Sequence, residues 1–144
     1  GHKILAELFV EKGANIEATG SSHQTPLAIA AMEGHLDAVK WLIEKGANIE
    51  ARDCNKQTPL ILATIGKHDN VMRYLIEKGA NRKAMDNNNE TSFTTSLQRT
   101  QKKIIQLLLD NNTNIETKDN DGDTPLCVAA YYGQTAAIQL LLEN

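Results

Sequence analysis

Proline is nearly absent from this chain of 144 residues: it occurs three times, at positions 26, 59 and 125. Aromatic residues are almost as scarce, at 4% with a single tryptophan, so a core has to be assembled from Leu, Ile, Val and Ala. That composition favours closely packed helices over a sandwich filled with large inward rings. Cysteine is limited to Cys54 and Cys127, with no pairing pattern, which argues against a disulfide framework or a paired-cysteine metal motif. A reducing compartment is the matching expectation, and hence an intracellular, cytoplasmic location. No apolar run approaches the roughly 20 residues of a membrane span, and a stretch such as IIQLLL at residues 104–109 is far too short. The opening GHKILAELFV contains Glu7 and lacks a small-residue cleavage site, so it does not read as a signal peptide. A net charge of −3 leaves no global basic footprint of the kind nucleic-acid binding uses.

What the chain does have is a period. Thr25, Thr58, Thr91 and Thr124 stand 33 residues apart, and the same step joins the three prolines. It also joins Gly13, Gly46 and Gly79, and Asp53, Asp86 and Asp119. EKGAN occurs at residues 11–15, 44–48 and 77–81, with DNNTN in its place at 110–114. Such self-similarity marks a stack of like units, each unable to bury its apolar face alone.

Each unit reads physically. Thr-Pro-Leu starts a helix, with Thr as its N-cap and Pro at the first helical position, where its missing N–H costs nothing. The helix runs about two turns and stops near a glycine such as Gly34 or Gly133. A second helix follows, HLDAVKWLIEK in the first full unit, with Leu36, Val39, Leu42 and Ile43 at three- and four-residue spacing. It stops at Gly46. The chain then returns extended, and Asp53 with the residues after it makes a turn before the next threonine.

With TPL, paired alanines, a mid-unit Gly-His and a closing Gly-Ala-Asn, the unit resembles the ankyrin repeat, and the match extends over the whole chain. The resemblance implies an all-α solenoid of stacked antiparallel helix pairs with short β-hairpin loops, its hairpins and first helices forming a concave surface. In this frame the chain is one array over 1–144: a partial repeat at 1–19, full repeats at 20–52, 53–85 and 86–118, and a partial repeat at 119–144. Neither end shows a polar cap, so the array reads as part of a longer chain.

Catalytic chemistry finds no foothold. No Gly-rich phosphate loop, paired-Cys motif or nucleophile elbow is present, and no enzymatic activity or cofactor is expected. His2, His35 and His68 recur one unit apart, roughly 10 Å for packed helices, too far to share a metal whose ligand bonds are only about 2 Å. They are expected to hydrogen-bond between neighbouring loops. The mixed Glu and Lys columns at the ends of the second helices read as a solvated face. Trp41 and Tyr74 occupy one column on consecutive second helices, where they are expected to stack as part of the packing.

Columns that stay apolar, such as Leu27/Leu60/Phe93/Leu126 and Leu42/Leu75/Leu108/Leu141, are core. Columns that change chemistry from unit to unit are candidates for contact with a partner. On the hairpins these include Ser21, Ser22 and Gln24, and the candidate site takes Cys54, Asn55 and Gln57, then Asn87, Asn88 and Glu90, then Asn120, Asp121 and Asp123. At the ends of the first helices it takes Met32 and Glu33, Ile65, Gln98 and Arg99, and Tyr131 and Tyr132. In the family resembled, matching positions line the concave surface. Tyr and Arg are enriched at interface hot spots. Tyr131 and Tyr132 point about 100° apart on a helix, so one seam cannot bury both. Met32 and Ile65 have a second reading, as filler between first helices.

Three departures from the family pattern stand out. The position after TPL, often His in the family, holds Ala28, Ile61, Thr94 and Cys127. The position at which many arrays carry a hydroxylated Asn holds Glu17, Glu50, Lys83 and Glu116, so that modification is not expected. The third unit, NETSFTTSLQRT, loses its proline to Ser92, its alanine pair to Ser96 and Leu97, and its glycine to Thr100. A soft first helix is predicted there, because Thr94 and Thr95 are poor helix formers, followed by a strong second helix in KKIIQLLLD. Arg99, Lys102 and Lys103 make a local basic spot. The function these features imply is a protein-binding scaffold, a monomer using its concave face and hairpin tips, with neither a small-molecule substrate nor nucleic acid as its ligand. The alternative is a structural spacer, or a targeting or autoinhibitory segment of a larger multidomain protein, an enzyme with its catalytic domain elsewhere being one case.

Overall fold

The threonine of each Thr-Pro step opens a helix for a local reason. The hydroxyl oxygens of Thr25, Thr58 and Thr124 accept hydrogen bonds from the backbone N–H of Ala28, Ile61 and Cys127, at 3.2, 3.4 and 3.5 Å. The proline after each sits in the first turn, where a helix leaves its N–H groups without partners. The computed structural model describes residues 12–143 apart from 21, 89, 99–104, 107–108, 110–113 and 120. Its helices are α1 (Pro26–Met32), α2 (Leu36–Glu44), α3 (Pro59–Gly66), α4 (Asp69–Glu77), α5 (Ser92–Gln98), α6 (Pro125–Tyr131) and α7 (Thr135–Glu143). Ile105, Gln106 and Leu109 are also helical, inside the stretch where a second helix is expected. Among the described residues no helix is long and apolar enough to cross a membrane.

Contacts follow the repeat. The first helices stack in order, α1 on α3, α3 on α5 and α5 on α6. Each pairs with the second helix of its own unit, α1 with α2, α3 with α4 and α6 with α7, and α2 also meets α4. One continuous core results. Leu27, Leu60 and Phe93, which share a column, are each 1% exposed, whereas Leu126 in the same column is 38% exposed. Burying such a side chain contributes about 1.5–3 kcal/mol. Leu42, Leu75 and Leu141 are buried likewise. The expected stacking of Trp41 on Tyr74 does not occur. Trp41 is buried in the core, while the Tyr74 ring lies between the ammonium groups of Lys40, at 5.8 Å, and Lys78, at 5.4 Å.

The hairpins form as tight turns, and no strand occurs among the described residues. The turn at 20–24 closes through backbone bonds of Gly20, and each of the three later turns is braced by an aspartate. Asp53 Oδ1 accepts from the N–H of Asn55 and Gln57, Asp86 Oδ1 from Asn88 and Glu90, and Asp119 Oδ1 from Asp121 and Asp123, all at 2.8–3.0 Å. Neighbouring turns are joined by backbone bonds from Cys54 N–H to Ser22 O, at 3.1 Å, and from Asn87 N–H to Asn55 O, at 2.9 Å. Arg52 spans the same gap, donating from Nη1 to the carbonyls of Lys56 and Met85.

A second ladder runs along the loops after the second helices. Asn15, Asn48, Asn81 and Asn114 each accept, through Oδ1, the N–H two residues on, at 2.9 Å. Glu17 Oε1 then takes Asn48 N–H at 2.8 Å, and Glu50 Oε1 takes Asn81 N–H at 2.7 Å. The glutamates that stand where other arrays carry a modified asparagine are therefore clips between units. Lys83, next in the column, has no acceptor to offer, and the ladder stops there.

Candidate functional site

The ends of the first helices and the turns before them lie along one side of the stack, and side-chain exposure there is uneven. Met32 and Glu33 close α1 and are exposed, while Ile65 near the end of α3 is half-buried. Met32 also carries a structural bond. Its carbonyl accepts from His68 Nε2, 2.9 Å away, which as partner to a carbonyl must be the protonated nitrogen. That bond is the expected contact between neighbouring loops, formed by the histidine column. Gly34 and Gly66 make room for it: a Cβ on either would run into the His68 ring, and on Gly66 also into the Met32 carbonyl.

At the end of α6 the exposure is larger. Tyr131 is 83% exposed and Tyr132 50%, and their rings meet edge to face with centroids 5.0 Å apart. Tyr131 ends α6 and Tyr132 is its C-cap, so the two rings are brought together at the end of the helix. They line a groove of about 600 Å³ together with Asn88, Glu90, Asp119, Asp121, Asp123 and Val128. The groove lies between the turns of the third and fourth units on one side and α6 on the other. Among the described residues, Asp121 and Asp123 beside two phenols make it an anionic, aromatic surface, able to accept hydrogen bonds and to hold a cation.

Six of the residues picked out from the sequence, Asn88, Glu90, Asp121, Asp123, Tyr131 and Tyr132, therefore meet in one groove. Cys54, Asn55 and Asn87 are exposed, but they are used along the turns, where their backbone groups and the Asn87 amide join one turn to the next. Gln57 is half-buried beneath its own turn. Met32 and Ile65 lie two units or one unit away from the groove. Arg99, Asn120, Lys102 and Lys103 fall outside the described residues, as does the Gln98 side chain.

Two lining residues were missed from sequence. Asp119 had been read only as a turn former. Its Oδ1 does brace the turn, yet the residue also borders the groove. Val128 was not singled out, and it is 5% exposed. The usable signal was spacing, since Val128 precedes Tyr131 by three residues and so shares its helix face.

A second, smaller cavity of about 180 Å³ adjoins the first at Tyr132 and is lined also by Ile105 and by residues 133–137. Gln134 lies in its wall, 7% exposed, and neither Oε1 nor Nε2 finds a hydrogen-bond partner among the described residues. It occupies the histidine column, one unit after residue 101 and two after His68.

No curated protein matches the chain. The family described as "Ankyrin repeats (3 copies)" matches residues 1–86 and 79–144. Together with the capped helix pairs, the stacked first helices and the turn-to-turn bonds, that match assigns this chain to the ankyrin repeat family.

Proposed function

We propose that the chain is a non-catalytic scaffold that holds a partner protein against its concave face. The ends of the first helices would supply Met32, Glu33, Ile65, Gln98, Arg99, Tyr131 and Tyr132. The turns would supply Cys54, Asn55, Gln57, Asn87, Asn88, Glu90, Asn120, Asp121 and Asp123. Ankyrin repeats are in general protein–protein interaction modules, and that supports the class of function. The observation that carries the location is the exposed Tyr131–Tyr132 pair at the rim of a groove. Two large rings left in water gain about 1.5–3 kcal/mol each when a partner covers them, and tyrosine does so with few rotatable bonds to order.

The test is capture of a partner from the lysate of the native cell by this chain and by a variant with Met32, Ile65, Arg99 and Tyr132 all changed to Ala. Circular dichroism first establishes that both are equally folded. A protein held by the parent and lost by the variant is the expected outcome. Identical capture by both, or capture by neither, would refute docking through this face.

A further inference from the structure

We propose that the segment docked beside Tyr131 and Tyr132 is cationic: a stretch of the partner protein bearing Lys or Arg side chains. The proposal rests on the docking reading above and adds the partner's chemistry to it. Among the described residues the groove is of one sign: Asp121 and Asp123 stand on its turn side, and no Lys, Arg or His lines it. Asp121 and Asp123 are exposed and enter the hairpin through their backbone N–H groups, so their carboxylates take no part in bracing it.

The chain's third tyrosine supplies an internal comparison. Tyr74 is half-buried, with two lysine ammonium groups within 5.8 Å of its ring centroid. Tyr131 and Tyr132 have no such cation among the described residues, and meet each other edge to face. An electron-rich ring face attracts an ammonium or guanidinium within about 6 Å. Carboxylates next to the rings favour the same charge, so a cationic side chain laid on Tyr131 or Tyr132 satisfies both walls at once.

A second, independent observation lies next to Tyr132. The Gln134 amide is more than nine-tenths buried in the adjoining cavity with donor and acceptor both unpaired. Buried polar groups are nearly always hydrogen-bonded. A peptide backbone offers one N–H and one carbonyl per residue, the complement of that amide. A nucleic-acid backbone, being anionic, is repelled by the same walls.

The experiment is selection of a displayed library of random short peptides against the whole chain at about 0.1 M salt. The selected peptides are then measured by fluorescence anisotropy on the parent, on Asp121→Asn/Asp123→Asn, and on Tyr131→Leu/Tyr132→Leu, after matching melting curves show each variant folded. Selected sequences rich in Lys and Arg are expected. Their affinity should fall about tenfold on the Asp→Asn variant, and again when salt rises to about 1 M, which shortens the screening length from about 10 Å to about 3 Å. The Tyr→Leu variant, which keeps apolar bulk but not the ring face, should also weaken them several-fold. Peptides that need the two tyrosines but show no Lys or Arg enrichment and ignore the Asp→Asn change would overturn this proposal and leave docking at this face intact. Peptides indifferent to every substitution, or no selected peptides at all, would overturn both.

Discussion

Lys67 occupies a place that glycine fills elsewhere. The first full unit reads Glu33-Gly34 where the second reads Gly66-Lys67, so the left-handed residue after α3 is a lysine, with φ +64°. A side chain in that conformation costs about 1–2 kcal/mol. Lys67→Gly should therefore stabilise the chain by about 1 kcal/mol, seen as a higher denaturant midpoint with an unchanged slope. The glycine next to it has a different job. Gly66 keeps helical geometry, and what it provides is space for the His68–Met32 bond. Gly66→Ala should destabilise by about 1–3 kcal/mol, the usual cost of overpacking, although alanine is the better helix former. A neutral result would mean that the His68 ring moves aside freely.

At the scale of elements, α5 shows how a helix persists after losing its sequence signals. Without proline, the start is held by a reciprocal pair: Thr94 Oγ1 accepts Thr91 N–H at 2.9 Å and Thr91 Oγ1 accepts Thr94 N–H at 3.3 Å. Thr95 and Ser96 return their hydroxyls to the carbonyls of Thr91 and Phe93, at 2.8 and 2.7 Å. These bonds let residues 91–97 be buried throughout, polar as they are. Ser92 is the exception, 1% exposed with its Oγ unpaired. Leaving such a hydroxyl unsatisfied costs about 1–3 kcal/mol. Ser92→Pro, which restores the residue used in the other units, should thus raise stability by about 1 kcal/mol or more, measured by thermal unfolding. The broken loop ladder offers a second repair. Lys83→Glu would give Asn114 N–H the acceptor that Glu17 and Glu50 give Asn48 and Asn81. A gain of about 0.5–1 kcal/mol is expected, and Tm should rise by a few degrees. No rise would show that the third unit's loop does not reach the clip geometry.

Across the whole molecule, stability in a stack is close to a sum of unit and interface contributions. The unit at 53–85 has described helices packed on both sides of α3, and its buried residues include Leu60, Ile61, Leu62, Met72 and Leu75. The unit at 86–118 buries hydroxyls where that one buries Ile61 and Leu62. Amide hydrogen exchange is therefore expected to be slowest in α3 and α4 and faster in α5, the reverse order being incompatible with the burial seen here. The groove belongs to this scale as well. Its turn wall comes from the third and fourth units and its aromatic wall from α6, so opening of the third unit should weaken whatever docks there.

Period, helix starts and core columns were all legible in the sequence, because each depends on bonds between residues within one unit or on apolar faces recurring every 33 residues. The threonine caps, the aspartate-braced turns and the buried leucine columns follow from such local rules. Several things did not follow from them. Trp41 and Tyr74 share a column, yet one went into the core and the other between two lysines, since a column specifies the rung and not the rotamer. The inter-unit role of Glu17 and Glu50 depends on a carboxylate reaching a backbone N–H 31 residues away. The groove needed the same kind of information. Comparison of the units marked sixteen positions, with the helix ends as the sharper signal, but only the stacking of the third and fourth units brought six of them around one space. Local bonding and periodic burial are written along the chain; which exposed side chains face one another is set by the superposition of units, which exists only once they are stacked.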